Sequence, residues 1–467
     1  MTFVSVLLRR KWIFIGFLIG AVILMIPIPE GLTPTGMRAL ALVAVAFIFF
    51  ITEPVPLPGV ALFIAVFEVL LGLKKPTGVA QSFMSDSVFF IMGSLMIAAA
   101  IVKQNLDKRI ALAILRLTGP RVERIVFGLT AVSAAIASLI GEHTVSAMML
   151  PVGVALIKFT ADDRRKTKNL SVLIMLSIAY GAMVAAVGTP SGGARNAIML
   201  AYWKELYGLN FTYFQWVTIA YPIILLEVPL VAFVLYRSFS PEVKDLSPAI
   251  AALQTRVAEE GKLTSRDWVT ITIFGFTVLM WMTISSRIGL GITALIGVLL
   301  FLVADVVRWE DLNNSVNWGT ILVYGGAISL GIVMKESGVA EWIAASFLKW
   351  VEPIGIHRGI PLLAAMGVMT TLLASFMSSG ATVGMLGPIN LQIASLSGTS
   401  ILEAGFITVI STSFVYLTSI ASPACNIIYG SGYLNRTDFL KAGWKLVLIS
   451  LLLLLLISAG YWSVLGI

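Results

Sequence analysis

"VERIVFGLTAVSAAIASLIGEHTVSAMMLPVGVALIKF", residues 122–159, decides what kind of molecule this chain is. It is apolar over about twice the ~20 residues that one membrane crossing needs. Its apolar character breaks in the middle, where "IGEHT" sets a glutamate beside a histidine. A second segment of the same kind covers 359–398 and is broken by "SSGAT". A helix, a polar tip and a returning helix, entering and leaving on one side of a bilayer, fits each segment better than two full spans. Two short ordinary helices are the plain alternative.

The composition around these segments agrees. Of 467 residues, 58% are hydrophobic and 12% charged, where a soluble domain carries about 25% charged. The expected fold is an all-α polytopic membrane protein embedded in the lipid bilayer. Apolar runs mark helices near 12–29, 37–52, 55–73, 85–104, 170–207, 213–236, 266–287, 289–307, 318–336, 402–434 and 438–464. That gives about 11 transmembrane helices and two re-entrant helical hairpins. The N-terminal "RRKWIFIGFLIGAVILMIPIPEG" has the basic start and apolar core of a signal peptide but no small-x-small cleavage site, so it reads as a retained first span.

The same composition excludes several functions. A single cysteine, Cys425, makes neither an internal disulfide nor a Cys-rich metal centre, and two histidines leave little for zinc. There is no His-Glu-x-x-His motif and no Gly-x-Ser-x-Gly elbow, so the chain is not expected to be an enzyme. The net charge of +8 reads as topology rather than nucleic-acid binding. With the N-terminus cytoplasmic and both hairpins re-entrant, Arg9, Arg10, Lys11, the cluster Lys103, Lys108, Arg109, Arg116, Arg121 and Arg124, the run at 162–168 and Arg237 through Arg266 all fall inside. That is roughly a threefold excess over the other side, in a plasma (inner) membrane. Lys74 and Lys75 fall outside, against the trend.

The chain also repeats itself. "IMGSLMIAAAIVK" and "VYGGAISLGIVMK" align Gly93 with Gly325 and Lys103 with Lys335 (325 − 93 = 335 − 103 = 232). Pro151 matches Pro388 (388 − 151 = 237) and Pro190 matches Pro423 (423 − 190 = 233). An odd number of crossings between matched elements inverts one half relative to the other, which is a transporter signature with binding near the midplane. The organisation is then an N-terminal span at 1–36, a first inverted repeat at 37–237, a cytoplasmic linker at 238–265 and a second repeat at 266–467. Each repeat holds one hairpin and, after it, a helix broken by Pro and Gly: "AAVGTPSGGARNAIM" within 170–207 and "SIASPACNIIYGSG" within 402–434. Unwound backbone survives at membrane depth only where protein or a cavity surrounds it. Four breaks in matched pairs therefore point to one central site.

A polar hairpin tip closed by proline, then a Thr-Pro or Ser-Pro break followed by asparagine, twice over, resembles the divalent anion:sodium symporter family, which carries dicarboxylates, citrate and sulfate. The resemblance covers nearly the whole chain. In that family each tip reads Ser-Asn-Thr, with the proline ten residues after the serine. Here the matching residues are Gly141, Glu142 and His143 in the first tip and Ser378, Ser379 and Gly380 in the second. The breaks match at Gly188, Thr189, Pro190 and Asn196, and at Ala421, Ser422, Pro423 and Asn426; the first also inserts "SGGAR", ending in Arg195.

What the resemblance implies is a symporter of small divalent anions (C4-dicarboxylates, citrate, sulfate or sulfonates), a homodimer working by an elevator motion. Glu142, His143, Thr189, Pro190, Arg195, Ser378, Ser379, Gly380, Ser422 and Pro423 would bind the anion. Gly141, Glu142, Gly188, Asn196, Ser379, Ala421 and Asn426 would hold one or two sodium ions, partly replaced by a proton or by Arg195. A cation/proton antiporter with Glu142 as its titrating carboxylate, or an anion channel, are the alternatives. Both tip asparagines are absent, and Glu142 needs a charge partner at this depth. Arg195 is the basic residue placed to supply one, as a permanent salt bridge or as an anion ligand while Glu142 and His143 carry a proton. Gly380, standing where the family has threonine, is expected to enlarge its end of the site.

Overall fold

The computed structural model describes residues 3–104, 119–160, 167–251, 255, 263–419 and 422–467, with residues 3–9 described by backbone alone. Lys108, Arg109, Arg116, most of the basic run at 162–168, much of the linker and Ala421 lie outside the described residues. Among the described residues the chain is helical, with no strand and one isolated bridge, Arg121 to Asp245.

The helices that matter run in order. They are α1 (Phe3–Met25), α2 (Pro34–Thr52), α3 (Leu57–Leu70), α4 (Pro76–Phe83) and α5 (Asp86–Lys103). Then come α6 (Val122–Ile140), α7 (Glu142–Thr160), α8 (Lys168–Ala185), α9 (Ala194–Tyr207) and α10 (Tyr213–Ser238). The second half holds α11 (Ser265–Thr283), α12 (Leu290–Val303), α13 (Trp318–Glu336), α14 (Val339–Val351) and α15 (Gly359–Ala374), followed by α16 (Ser379–Ser397), α17 (Ile401–Ser411), α18 (Pro423–Tyr429) and α19 (Arg436–Ile457). Their ends follow from local chemistry. The Thr212 hydroxyl accepts from the Gln215 amide at 3.1 Å while the Gln215 side chain accepts from the Thr212 amide at 2.9 Å, a capping box that starts α10.

Among the described residues, eight helices are long and apolar enough to cross a membrane, nine if the bent pair Val339–Ile354 and Gly359–Ala374 (119°) forms one span. Eleven continuous spans are not found among the described residues. Two expected spans, 170–207 and 402–434, are each divided by their breaks, and α3 and α12 have only 14 residues each. The sequence reading missed α4 and α14. α14 is amphipathic, with Glu341 and Lys349 interrupting its apolar run, and a hydropathy scan passes over it.

The two halves pack reciprocally. α6 and α7 turn at Gly141 and both lie on α8; α15 and α16 turn at 375–378 and both lie on α17. α3 packs against α13 of the other half, and α12 against α5. Since α3 and α12 are offset by 233 residues (290 − 57) and α5 and α13 by 232 (318 − 86), these are the same contact made twice. A second exchange of the same kind sets α9 against α16 and α18 against α7. Each hairpin therefore meets the helix that follows the other half's break.

Burial shows where lipid and protein lie. In α8, 89% of the apolar window is buried, against 28% in the C-terminal helix, whose leucines face outward. Residues 412–419 and Ser422, between α17 and α18, are not helical, yet most are buried. A carboxylate pins them: Glu227 of α10 accepts hydrogen bonds from the Tyr416 hydroxyl at 2.8 Å and from the Ser450 hydroxyl. The Tyr180 hydroxyl donates to the Tyr416 carbonyl at 2.8 Å. Irregular backbone inside a membrane protein needs such partners.

Candidate functional site

The first tip is built on Gly141, whose φ of 92° and ψ of 149° suit glycine and end α6 so that α7 can begin at once. The adjoining break makes a 3₁₀ turn over Pro190–Gly192, capped by the Thr189 hydroxyl, which accepts from the Gly192 amide at 3.2 Å. The same hydroxyl donates to the Ser138 carbonyl one turn before the tip. A Cβ at Gly192 would stand 2.6 Å from that carbonyl oxygen. A residue without a side chain is therefore what lets hairpin and break touch.

Charge enters across this contact. Arg195, at the start of α9, donates through Nη1 to Glu142 Oε1 at 3.1 Å, and both side chains are almost fully buried, 4% and 10% exposed. Its Nη2 donates to the Ser413 hydroxyl of the second half at 2.9 Å and to the Met183 carbonyl at 3.4 Å. Arg195 Nε and Glu142 Oε2 are buried and without a partner. A guanidinium offers five N–H donors and a carboxylate several acceptor positions, so the pair keeps capacity for a ligand.

Behind it, fully buried Asn196 donates through Nδ2 to the carbonyls of Ala186 at 2.8 Å and Thr189 at 2.7 Å, which ties the two sides of the break together. Its Oδ1 has no partner, leaving a neutral oxygen of the sort hard cations take.

The second tip is built differently. Ser378 caps α16, its hydroxyl accepting from the Ala381 amide at 3.3 Å, and the Ser379 hydroxyl donates to the Thr412 carbonyl of the second break at 3.1 Å. Ser422 caps α18, accepting from the Ala424 amide at 3.2 Å.

One cavity of about 180 Å³ joins the two tips. Of the residues expected from sequence, Gly141, Glu142, His143, Pro190, Arg195, Ser378, Ser379, Gly380 and Pro423 line it, with His143 exposed. Thr189 and Asn196 stand buried behind the wall and Ser422 is buried. Gly188 packs instead against Ile224. Asn426 is exposed, unlike its counterpart Asn196, and Ala421 lies outside the described residues. Sequence reasoning missed Ser94, Asn317, Thr320 and Tyr324 on the cavity wall and Ser413 beneath Arg195. They sit on α5, at the start of α13 and in the stretch after α17, where nothing but the fold brings them in.

The expectation about Gly380 is overturned. A Cβ there would lie 2.3 Å from Tyr324 Cε1, so the space that glycine leaves is filled by an aromatic ring from α13.

Reciprocal halves, paired helix breaks and a cavity between two tips define a multi-pass helical membrane transporter. The chain belongs to the family described as the sodium:sulfate symporter transmembrane region, which matches residues 9–467. It is a sodium-coupled anion transporter and not an enzyme. It is similar to an uncharacterized transporter of Haemophilus influenzae, 26% identical over 444 residues and 92% of each chain. It is also similar to the sodium-dependent dicarboxylate transporter SdcS of Staphylococcus aureus, 23% identical over 474 residues, 95% of this chain and 90% of that one. Its fold resembles the Alcanivorax borkumensis YdaH transporter (TM-score 0.53, 13% identity, 85% of this chain and 88% of that one). It also resembles Neisseria gonorrhoeae MtrF (TM-score 0.55, 12% identity, 84% of each).

Proposed function

We propose that this protein carries a small dianion, a C4-dicarboxylate, citrate, sulfate or sulfonate, across the inner membrane together with one sodium ion and a proton. The observation that carries the reading is the Arg195–Glu142 contact at 3.1 Å beside the cavity that joins both tips. In the empty site the two charges cancel, as an arginine at this depth requires. A dianion brings two negative charges. A proton delivered through His143 to Glu142 releases Arg195 to counter one of them, and sodium counters the other. Arg195 grips the anion through its free Nε edge, with hydroxyls of Ser378 and Ser379 at the opposite tip. The unpaired Asn196 Oδ1, with Gly141 and Glu142 at the first tip, forms the sodium side; Ser379 and the exposed Asn426 are the second half's nearest equivalents.

The movement belongs to the same reading. The hairpins α6–α7 and α15–α16, with the broken helices α8–α9 and α17–α18, move as a unit against α2, α3, α11 and α12. The N-terminus is cytoplasmic, the hairpins are re-entrant, the halves are inverted and the protein is a homodimer. Reciprocal packing of α3 on α13 and α12 on α5 supports a two-fold relation between the halves, because a two-fold axis makes each such contact twice; the inversion rests on the odd number of crossings between matched elements.

The test is uptake of labelled succinate and sulfate into proteoliposomes. A symporter shows saturation, counterflow and dependence on sodium. Flux without counterflow identifies a channel, and proton movement without either anion identifies an antiporter. Cysteine crosslinks between a hairpin and α3 or α12 should abolish flux; full activity in the locked protein contradicts the moving unit.

A further inference from the structure

We propose that Tyr324 is a specificity-determining residue: its ring, seated against Gly380, replaces the missing side chain of the second tip and offers its phenol to the anion. The inference rests on the transport reading above and adds which residue closes the site. Gly380 lies in the first turn of α16 with an ordinary helical backbone, its φ absent from those that are positive. Backbone freedom therefore does not call for glycine there. Space does: an added Cβ would stand 2.3 Å from Tyr324 Cε1 and 3.1 Å from both Cζ and the hydroxyl oxygen.

The ring's position is fixed one turn further on. There α13 and α16 approach so closely that a Cβ at Gly384 would stand 2.6 Å from the Ala327 Cβ. Tyr202 of α9 clamps both helices, donating to the Ala327 carbonyl at 2.7 Å and the Gly384 carbonyl at 2.8 Å. Small residues at such a seam let backbones approach, and the seam aims Tyr324 at the tip rather than at lipid. Among the described residues the Tyr324 hydroxyl makes no hydrogen bond. It faces the cavity that Arg195 and Glu142 also line. A neutral phenol beside an anion site is a donor without a competing charge.

The recognised ligand is then an anion with an oxygen placed to accept from a phenol on α13. The experiment uses full-length protein in proteoliposomes with succinate, sulfate and citrate as probes. Tyr324→Phe keeps the ring and removes the donor. It should raise the half-saturating concentration of the best-transported anion about tenfold, the scale of one lost hydrogen bond to a charged group, with maximal rate and melting temperature unchanged. Tyr324→Ala opens the site beside Gly380 and should raise the citrate-to-succinate uptake ratio. Gly380→Ala should depress uptake by displacing the ring, and Tyr324→Ala added to Gly380→Ala should restore it in part. If Tyr324→Phe matches the parent for all three anions, or Gly380→Ala is as active as the parent, the inference fails while the transport reading stands. If the parent moves none of the three, both fail.

Discussion

The two hairpin tips occupy equivalent places in reciprocal halves, yet they are built from different chemistry. The first is charged and tied down: Glu142 meets Arg195, the Thr189 hydroxyl bridges hairpin to break, and Asn196 binds two break carbonyls. The second is neutral and plainer, with two serine hydroxyls, a glycine covered by a ring from α13 and an asparagine, Asn426, that stays exposed. Reciprocal packing therefore does not require equivalent chemistry: it supplies a frame in which one tip is charged and the other neutral.

That contrast can be broken most severely at Arg195. Arg195→Ala leaves Glu142 buried without its counter-charge, and breaking a buried pair costs about 3–5 kcal/mol; anion uptake should vanish and the melting temperature fall. Adding Glu142→Gln to Arg195→Ala should recover much of the stability and none of the uptake. Arg195→Lys should retain charge but lose the two-pronged contact, leaving weakened uptake.

The next effect separates the asparagines. Asn196→Ala frees two buried carbonyls at a cost of about 1–3 kcal/mol each and should weaken the apparent affinity for sodium. Asn426→Ala, at an exposed position, should stay within about 0.5 kcal/mol of the parent. Equal effects at the two sites would mean that the halves share the cation more evenly than the geometry indicates.

A smaller effect lies outside the membrane. The Asp311 carboxyl is held below the usual carboxylate range, first by the hydrogen bond from Lys103 and then by that from the Arg308 amide. A depressed carboxylate stabilises the fold above its ordinary pKa of about 4, and that contribution disappears as pH falls through the depressed value. Thermal unfolding of Lys103→Met should therefore lie slightly below the parent above about pH 5, and the gap should narrow as pH falls below about 4. This pair is exposed, so a large gap is not expected.

The tips and breaks were legible in the sequence because their signals are local: "IGEHT", "SSGAT", Pro190 and Pro423 interrupt otherwise apolar runs. The Glu142–Arg195 contact was legible as well, since a bilayer forces a buried carboxylate to find a cation and few were within reach. What stayed hidden is tertiary. Tyr324 sits on a helix that reads as an ordinary apolar span, and its approach to Gly380 depends on the seam between α13 and α16. Gly380 alone suggested an empty space. Ser413 lies in irregular backbone that no periodicity marks, and the charges within α14 kept it out of the hydropathy signal.

The central claim is that Arg195, released when a proton neutralises Glu142, takes the place of one sodium ion, and the sodium dependence of flux tests it most directly. Anion uptake should be measured against external sodium between about pH 5 and 8, where histidine changes charge, for the parent and for Glu142→Gln. The account predicts a Hill coefficient near one or below in the parent, flux that varies across this pH range, and loss of that variation in Glu142→Gln. Steep, pH-independent sodium activation that persists in Glu142→Gln would contradict it and make Glu142 a structural partner of Arg195.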